Sequence, residues 1–295
     1  MSILTKIFKQ PKLAYYYGQR SIRNPALRRF CANIYCRWLN ITNRQYFGLP
    51  DQSWLHALNT EGVVFLEPLY FSRNDLDQIS EHFQGKSLFD FYTNKELGPI
   101  ESVTCNQQKA QYSTKDCISC KVLTEFANHP KLLATVKGYL GATPSIASVQ
   151  AWWTFGENHD SKTDLSDDIY HRDVDDLKFI KLFVYLTDTG LSNGAHSFIK
   201  KSHLSRAFTA RGAISDAQAK AQFSAVDFLT VTGNAGTAFL EDTWGIHRPL
   251  TATTGRRLIF SVLYSLSPWV PQGCPEPLMP LPQGLDPFVN RTHFF

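Results

Sequence analysis

The sequence predicts an α+β chain with a mainly β core, its second half folded as a sandwich or barrel. Helix start and stop signals cluster in the first 141 residues, whereas from residue 146 short strand-like runs alternate with turn residues. The aromatics, 21 Phe, 12 Tyr and 6 Trp, are numerous enough to fill one sizeable core. No apolar run approaches the roughly 18 residues of a membrane span. Nor does the N-terminus carry a continuous apolar stretch of signal-peptide type, so a soluble cytoplasmic protein is expected.

Charge is distributed unevenly. The net charge is +4, yet residues 1–50 hold nine Lys/Arg and no Asp/Glu, leaving 21 basic against 26 acidic residues in 51–295. Asn24-Pro25 is a helix start with proline at the first helical position. Leu27, Phe30, Ile34 and Trp38 then recur at helical spacing, with Arg28, Arg29 and Arg37 set opposite. The expectation is a helix packed on the outside of the domain with its arginines in solvent. Contact with an anionic membrane surface or an acidic partner is the alternative. Nucleic acid is not expected, because the body shows no matching basic signal.

Beyond residue 51, Gly62-Val-Val-Phe-Leu66 reads as a short buried strand. Ser72 caps a helix running to about Phe83, with Asp75 in its first turn and Gly85 as its stop. Residues 86–116 are polar and weakly patterned and predict a long loop. Helices follow over about 118–127 and 130–140, closed by Gly141. Strands are expected at 146–155, 169–173, 179–187, 226–231, 237–240 and 257–266, with a turn at Asn193-Gly194. Residues 268–287 hold seven prolines and predict extended chain wrapped on the body. The chain thus divides into a basic, aromatic segment (1–50), one catalytic-sized domain (51–267) and a proline-rich extension (268–295). Cys117-Ile-Ser-Cys120 has no second pair at zinc-site spacing, so its thiols, like those of the other four cysteines, are expected to be ordinary and reduced.

The chemistry starts at Ile169-Tyr170-His171-Arg172-Asp173. On a strand His171 and Asp173 share a face and Arg172 points away. An imidazole beside a carboxylate is two thirds of a facial metal site. His247 is the candidate third ligand, since it ends the run Thr237-Ala-Phe-Leu-Glu-Asp-Thr-Trp-Gly-Ile246 that rises from a glycine turn. A 2-His-1-carboxylate triad leaves one face of Fe(II) open for a bidentate 2-oxo acid and O2. The distal carboxylate of 2-oxoglutarate needs a fixed cation, which arginine supplies as a bidentate fork. Arg257, ten residues after His247, shares a strand face with Ile259 and Ser261; Arg256 shares the crowded face of Leu258 and Phe260. Arg257 is preferred and Arg256 is the alternative. Asp242 is either a residue orienting a ligand or a surface carboxylate. Lys181 is expected to face outward. Trp152 and Trp153 point to opposite faces of their strand, so that one can line the pocket. His196 and His203, flanking the Asn193-Gly194 turn, carry a surface reading.

Over residues 55–267 the chain resembles the phytanoyl-CoA dioxygenase family of Fe(II)/2-oxoglutarate oxygenases. Leu58-Asn-Thr-Glu-Gly-Val-Val-Phe-Leu66 followed by Phe71-Ser-Arg-Asn-Asp-Leu76 is similar to the family's opening strand and helix. His171-Arg-Asp173 resembles its metal motif, and Asn193-Gly-Ala-His-Ser-Phe-Ile-Lys-Lys-Ser-His203 its Asn-Gly…Gly-Ser-His segment. His247 and Arg257 fall where the distal ligand and the cosubstrate arginine belong. The resemblance implies a double-stranded β-helix (jelly-roll, cupin-like) with helices packed on one side. It also implies Fe(II) on His171, Asp173 and His247, 2-oxoglutarate and O2 as cosubstrates, and a small-molecule or lipid-like substrate. The chain departs from the family at Lys200-Lys201, where Pro-Gly is usual, and after His247, where no Gly-x-Asn follows. Halogenating relatives replace the metal carboxylate by a small residue; Asp173 implies hydroxylation instead. Two other readings remain: a non-catalytic β-helix binding protein, and a cupin-like metal enzyme that does not use 2-oxoglutarate.

Overall fold

The frame of the molecule is set by one long strand near the C-terminus. The computed structural model describes residues 7, 13–67, 71–103, 107–156, 169–210, 212–269 and 277–295. Its strands are β1 (Val63–Phe65), β2 (Leu88–Asp90), β3 (Glu96–Gly98), β4 (Lys109–Tyr112), β5 (Ser145–Phe155), β6 (Phe179–Tyr185), β7 (His196–Ile199), β8 (Phe228–Val231), β9 (Ala238–Glu241), β10 (His247–Pro249) and β11 (Arg256–Ser265). The apolar, β-branched and aromatic content of β11 suits a strand buried on both faces. It pairs antiparallel with β5 on one side and β6 on the other. The large sheet runs β1-β9-β6-β11-β5-β4-β2-β3, and a small sheet runs β10-β7-β8.

Alternation gives the large sheet two different faces. Leu182, Val184, Leu240, Leu258, Phe260 and Val262 look outward and join Leu123, Leu132 and Val136 of the covering helices in the main core. Phe183, Tyr185, Phe239 and Ile259 look inward and pack on Phe198 and Val231 of the small sheet. Two sheets face to face with helices on one outer side make the expected double-stranded β-helix, a jelly-roll of cupin type.

The helices begin and end where local chemistry requires it. Asn24 caps the helix Pro25–Thr42, its side chain accepting from the amides of Ala26 and Leu27. Ser72 and Asp75 form a reciprocal capping box on Arg73–Phe83. Gly141 closes Pro130–Leu140 in the left-handed conformation, at φ 92°.

Four expectations need correction. Residues 86–116 are not one long loop: they supply β2, β3 and β4 at one end of the large sheet, strands of three or four residues and partly exposed, too short to show much apolar pattern. The helix expected over 118–127 starts at Thr114 and breaks at Cys120, giving Thr114–Ser119 and Lys121–Ala127. Residues 169–173 form single bridges, Tyr170 to Ile214 and His171 to His247, instead of a regular strand. The helix Pro25–Thr42 is turned over relative to the expectation. It buries Arg28, Ala32, Cys36 and Leu39 and exposes Leu27, Phe30, Ile34 and Trp38. The small Ala32 and Cys36 permit close approach, and Arg28 is satisfied inside by donating to the carbonyls of Gln19, Ile22 and Asp176. Cys117 and Cys120 are buried free thiols, as expected, and burial pushes both up. Cys105, Cys274, His159 and most of the 156–168 stretch lie outside the described residues.

The C-terminal extension docks through Val289, His293 and Phe294, all buried. Among the described residues neither ring nitrogen of His293 has a hydrogen-bond partner, and burial lowers its imidazole to about 4. An unfolded histidine titrates near 6.5, so between about 6.5 and 4 the unfolded chain binds more protons than the folded one. Stability contributed by the neutral ring is therefore present above that window and lost as pH falls through it, by up to about 3 kcal/mol. In urea titrations, His293→Phe should flatten the decline of stability between these pH values. An unchanged acid slope would show that His293 is not its source.

Candidate metal centre

His171 and His247 are brought together by the backbone. The His171 amide donates to the His247 carbonyl at 3.0 Å, and the His247 amide returns the bond at 3.1 Å. The Asp173 amide donates to Thr243 at 2.9 Å, so the carboxylate is tied to the same turn that leads into His247. Arg172 points away, as alternation requires, and donates to the carbonyls of Trp244, Ser202 and Ala207. One potential ligand atom from each of His171, Asp173 and His247 lies within 4.8 Å of the others. The His171 Nε2 stands 3.9 Å from Asp173 Oδ1, and His247 Nε2 stands 3.5 Å from Asp173 Oδ2.

Both imidazoles have their tautomer set by the main chain. Nδ1 of His171 lies 3.0 Å from the Ile169 carbonyl, and Nδ1 of His247 lies 3.1 Å from that of Gly245. A carbonyl only accepts, so each Nδ1 carries the proton and each Nε2 presents a lone pair to the shared centre. Burial lowers the His247 imidazole to about 4 against the pull of Asp173, which keeps it neutral and ligating at neutral pH. Burial would raise Asp173, but the Lys181 ammonium and the two imidazoles outweigh it and hold the carboxyl below its usual range. Two nitrogens and one ionised oxygen on one side of a point suit a facially capped divalent metal such as Fe(II). The His247 side chain is 6 % exposed and that of His171 is 42 %, so the centre opens on the His171 side.

Around the triad the inner face is more polar than its strand patterns suggest. Lys181 faces inward, against the expectation, bridging Asp173 at 2.6 Å and Asp175 at 3.0 Å. His196 and His203 are buried, also against expectation. His196 stacks on His247 with ring centroids 5.5 Å apart, and its Nε2 lies 3.0 Å from Glu241 Oε1. Burial raises the Glu241 carboxyl and lowers the His196 imidazole, disfavouring the charged form of each. Asp242 is not a surface carboxylate. It is buried, accepts from Tyr139 and from the Trp244 amide, and shapes the turn 242–247 without touching the triad ligands.

The two adjacent arginines part company. Arg256 is exposed and lies over the outward face of Trp153, 5.1 Å from the ring centroid. Arg257 is 2 % exposed and points inward, donating to the Gly194 carbonyl and, at 3.1 Å, to Thr154 Oγ1. Gly194 adopts φ 92°, a backbone that glycine takes without strain, which explains its place in the turn that braces Arg257. Tyr185, on the same inner face, contacts the guanidinium, and its hydroxyl accepts from the His196 amide at 3.0 Å. Arg257 is thus joined to His247 through the Tyr185 hydroxyl, the His196 main chain and the stacking of the His196 ring on that of His247. Trp152 lies on this inner face, beside Phe91, and Trp153 on the outer one.

Alternation along β6 and β9 could have found Lys181 and Glu241, since each shares a face with inward aromatics. For His196 no sequence signal existed beyond its place beside the turn. No family model matches the chain, and no curated protein matches it. Solved structures share its fold. EctD from S. alaskensis, solved with 2-oxoglutarate and 5-hydroxyectoine, aligns over 86 % of this chain and 87 % of its own at 14 % identity and a TM-score of 0.54. HygX from Streptomyces hygroscopicus, with nickel and 2-oxoglutarate bound, aligns over 78 % and 90 % at 16 % identity and 0.50. The non-heme α-ketoglutarate-dependent epimerase SnoN of nogalamycin biosynthesis aligns over 72 % and 81 % at 14 % identity and 0.50. The chain therefore has the fold of the 2-oxoglutarate-dependent non-heme iron enzymes.

Gly245 carries the carbonyl that orients His247, and it has no room for a side chain. A Cβ there would lie 2.4 Å from Phe198 Cε2 and 2.9 Å from the Asp242 carbonyl. Overpacking of this kind costs about 1–3 kcal/mol. Gly245→Ala should weaken Ni(II) binding by about tenfold or more, about 1.4 kcal/mol, in calorimetric titration, while the outer core keeps the chain folded. Metal affinity equal to that of the parent would mean that the turn does not set the ligand.

Proposed function

We propose that the chain is an Fe(II)- and 2-oxoglutarate-dependent dioxygenase that hydroxylates a small-molecule or lipid-like substrate, akin to the phytanoyl-CoA dioxygenase family. The observation that carries this reading is Arg257. Its guanidinium is buried on the inner face, is linked to the triad through Tyr185 and His196, and has no carboxylate partner among the described residues. Its Nε has no hydrogen-bond partner among the described residues. Burying a cation without a counter-ion is costly, and an anionic ligand removes that cost. The far carboxylate of 2-oxoglutarate is an anion of the right kind, and the triad suits chelation of the other end.

In this reading His171, Asp173 and His247 hold the iron through Nε2, a carboxylate oxygen and Nε2. When bound, iron with 2-oxoglutarate and O2 supplies the oxidation, releasing succinate and CO2 and placing oxygen on a substrate carbon. Arg257 and the Thr154 hydroxyl bind the far carboxylate, while Arg256, on the outer face, takes no part. Phe183, Phe239 and Ile259 line the inner face with apolar surface and keep water from the site. Lys181 offsets the charge of Asp173 and Asp175 and, with the two imidazoles, holds the Asp173 carboxyl below its usual range, whereas burial raises that of Asp175. The retained Asp173 supports hydroxylation, since a carboxylate occupies the position that halide would need.

Iron-loaded protein mixed anaerobically with 2-oxoglutarate should develop the visible charge-transfer band of the chelate, and in air it should form succinate. Arg257→Met should raise the KM for 2-oxoglutarate about 100-fold, about 2.7 kcal/mol, while metal binding persists; Arg256→Ala should change it by no more than about twofold, about 0.4 kcal/mol. Failure to bind 2-oxoglutarate at all would leave the non-catalytic binding protein. Turnover that survives Arg256→Ala/Arg257→Ala would leave the cupin-type reading without the oxo acid.

A further inference from the structure

The helix Pro25–Thr42 has two apolar faces, and only one is used by the fold. The inner face, Arg28, Ala32, Cys36 and Leu39, is between 1 % and 7 % exposed. The opposite face carries Leu27 (48 % exposed), Phe30 (62 %), Ile34 (53 %), Trp38 (54 %) and Ile41 (84 %). Steps of three and four residues put these five on one line about 21 Å long, at 1.5 Å per residue. Tyr46 and Leu49, in the chain that follows the helix, are 81 % and 82 % exposed. A soluble surface seldom leaves so many large apolar side chains contiguous and uncovered.

We propose that this stripe docks the protein on an anionic lipid surface. Charge complementarity selects that occupant. Residues 1–50 contain nine Lys/Arg and not one Asp/Glu, and Arg37 and Arg44 are exposed beside the stripe. A second copy of the chain would bring two such basic segments together with no acidic residue in either, so self-association through this face is opposed by like charge. An anionic headgroup layer over hydrocarbon meets both requirements at once. Aromatic rings are also suited to the interfacial zone. Trp38 is held outward by stacking on Tyr35, with centroids 5.7 Å apart and planes 11° apart, so little freedom is lost on insertion. The helix need not leave the protein to bind, because its inner face stays on the core. It lies in the interface plane and does not cross: among the described residues no helix is long and apolar enough to span a bilayer.

The test is sedimentation of the full chain with vesicles of equal parts phosphatidylcholine and phosphatidylserine, against vesicles of phosphatidylcholine alone. Binding is expected to the anionic vesicles, to weaken with salt, and to fall at least tenfold in Phe30→Ser/Ile34→Ser/Trp38→Ser. Arg37→Gln and Arg44→Gln should each reduce it about fivefold. The melting temperature and Ni(II) affinity of the serine variant report that the fold is intact, since all three residues are exposed. Absence of sedimentation with anionic vesicles would overturn the proposal. So would equal binding by parent and serine variant, or a dimer in sedimentation velocity that the serine variant disperses without any lipid binding.

Discussion

The centre depends on one pair of reciprocal backbone hydrogen bonds, between His171 and His247. Separated widely in sequence, the two residues become cross-strand neighbours, and their rings come to 4.4 Å between centroids. Local sequence cannot supply this; it depends on long-range pairing, with β10 also paired to β7 in the small sheet. Once that pairing exists, little further ordering is needed. The carbonyls of Ile169 and Gly245 fix the ring tautomers, and Thr243 fixes Asp173. The ligand set is therefore pre-organised by main-chain groups, which cost less entropy to hold than long side chains would.

The two faces of the large sheet divide the work of the molecule. The outer face and the helices above it form the extensive apolar core, and that burial stabilises the fold. The inner face keeps Lys181, Asp173, Asp175, Glu241, His196 and Arg257 at a depth where isolated charge is expensive. Its polar groups are compensated in small local sets: Lys181 between two carboxylates, Glu241 against the His196 ring. Arg257 is the exception, held by carbonyl, hydroxyl and phenol oxygens but by no carboxylate among the described residues.

Much of the fold was legible because it rests on short-range rules. Ser72 with Asp75, Asn24 with Pro25, and Gly141 set helix ends within a few residues, and alternation in β11 sent Arg257 inward and Arg256 outward. The triad was legible because two of its residues lie in one tripeptide and the third ends a recognisable run. What failed were judgements of which face meets the core. Lys181 looks like an outward lysine until Asp173 and Asp175, eight and six residues earlier in the chain, fold back over its strand. His196 and His203 look exposed until the small sheet closes on them. The helix Pro25–Thr42 has apolar residues on both faces, so periodicity alone could not say which one is inside; a buried Arg28 decided it.

Arg28 also shows how the N-terminal helix and the metal centre are joined. Its guanidinium lies 4.2 Å from the ring centroid of Trp244, and that of Arg172 lies 5.5 Å from the same ring. Burial lowers both guanidinium groups to about 10, which leaves them charged at neutral pH. Each donates to carbonyl oxygens, Arg28 at Asp176 and Arg172 at Trp244, Ser202 and Ala207. One indole with two cations against it thus connects the helix at residue 28 to the turn 242–247 and to the tripeptide that carries His171 and Asp173. Buried cation–π contacts of this kind are worth up to about 2 kcal/mol each. The aromatic, basic N-terminal segment is therefore part of the support of the centre, and its apolar outer stripe is displayed by an element whose inner side is locked onto the ligand-bearing turn.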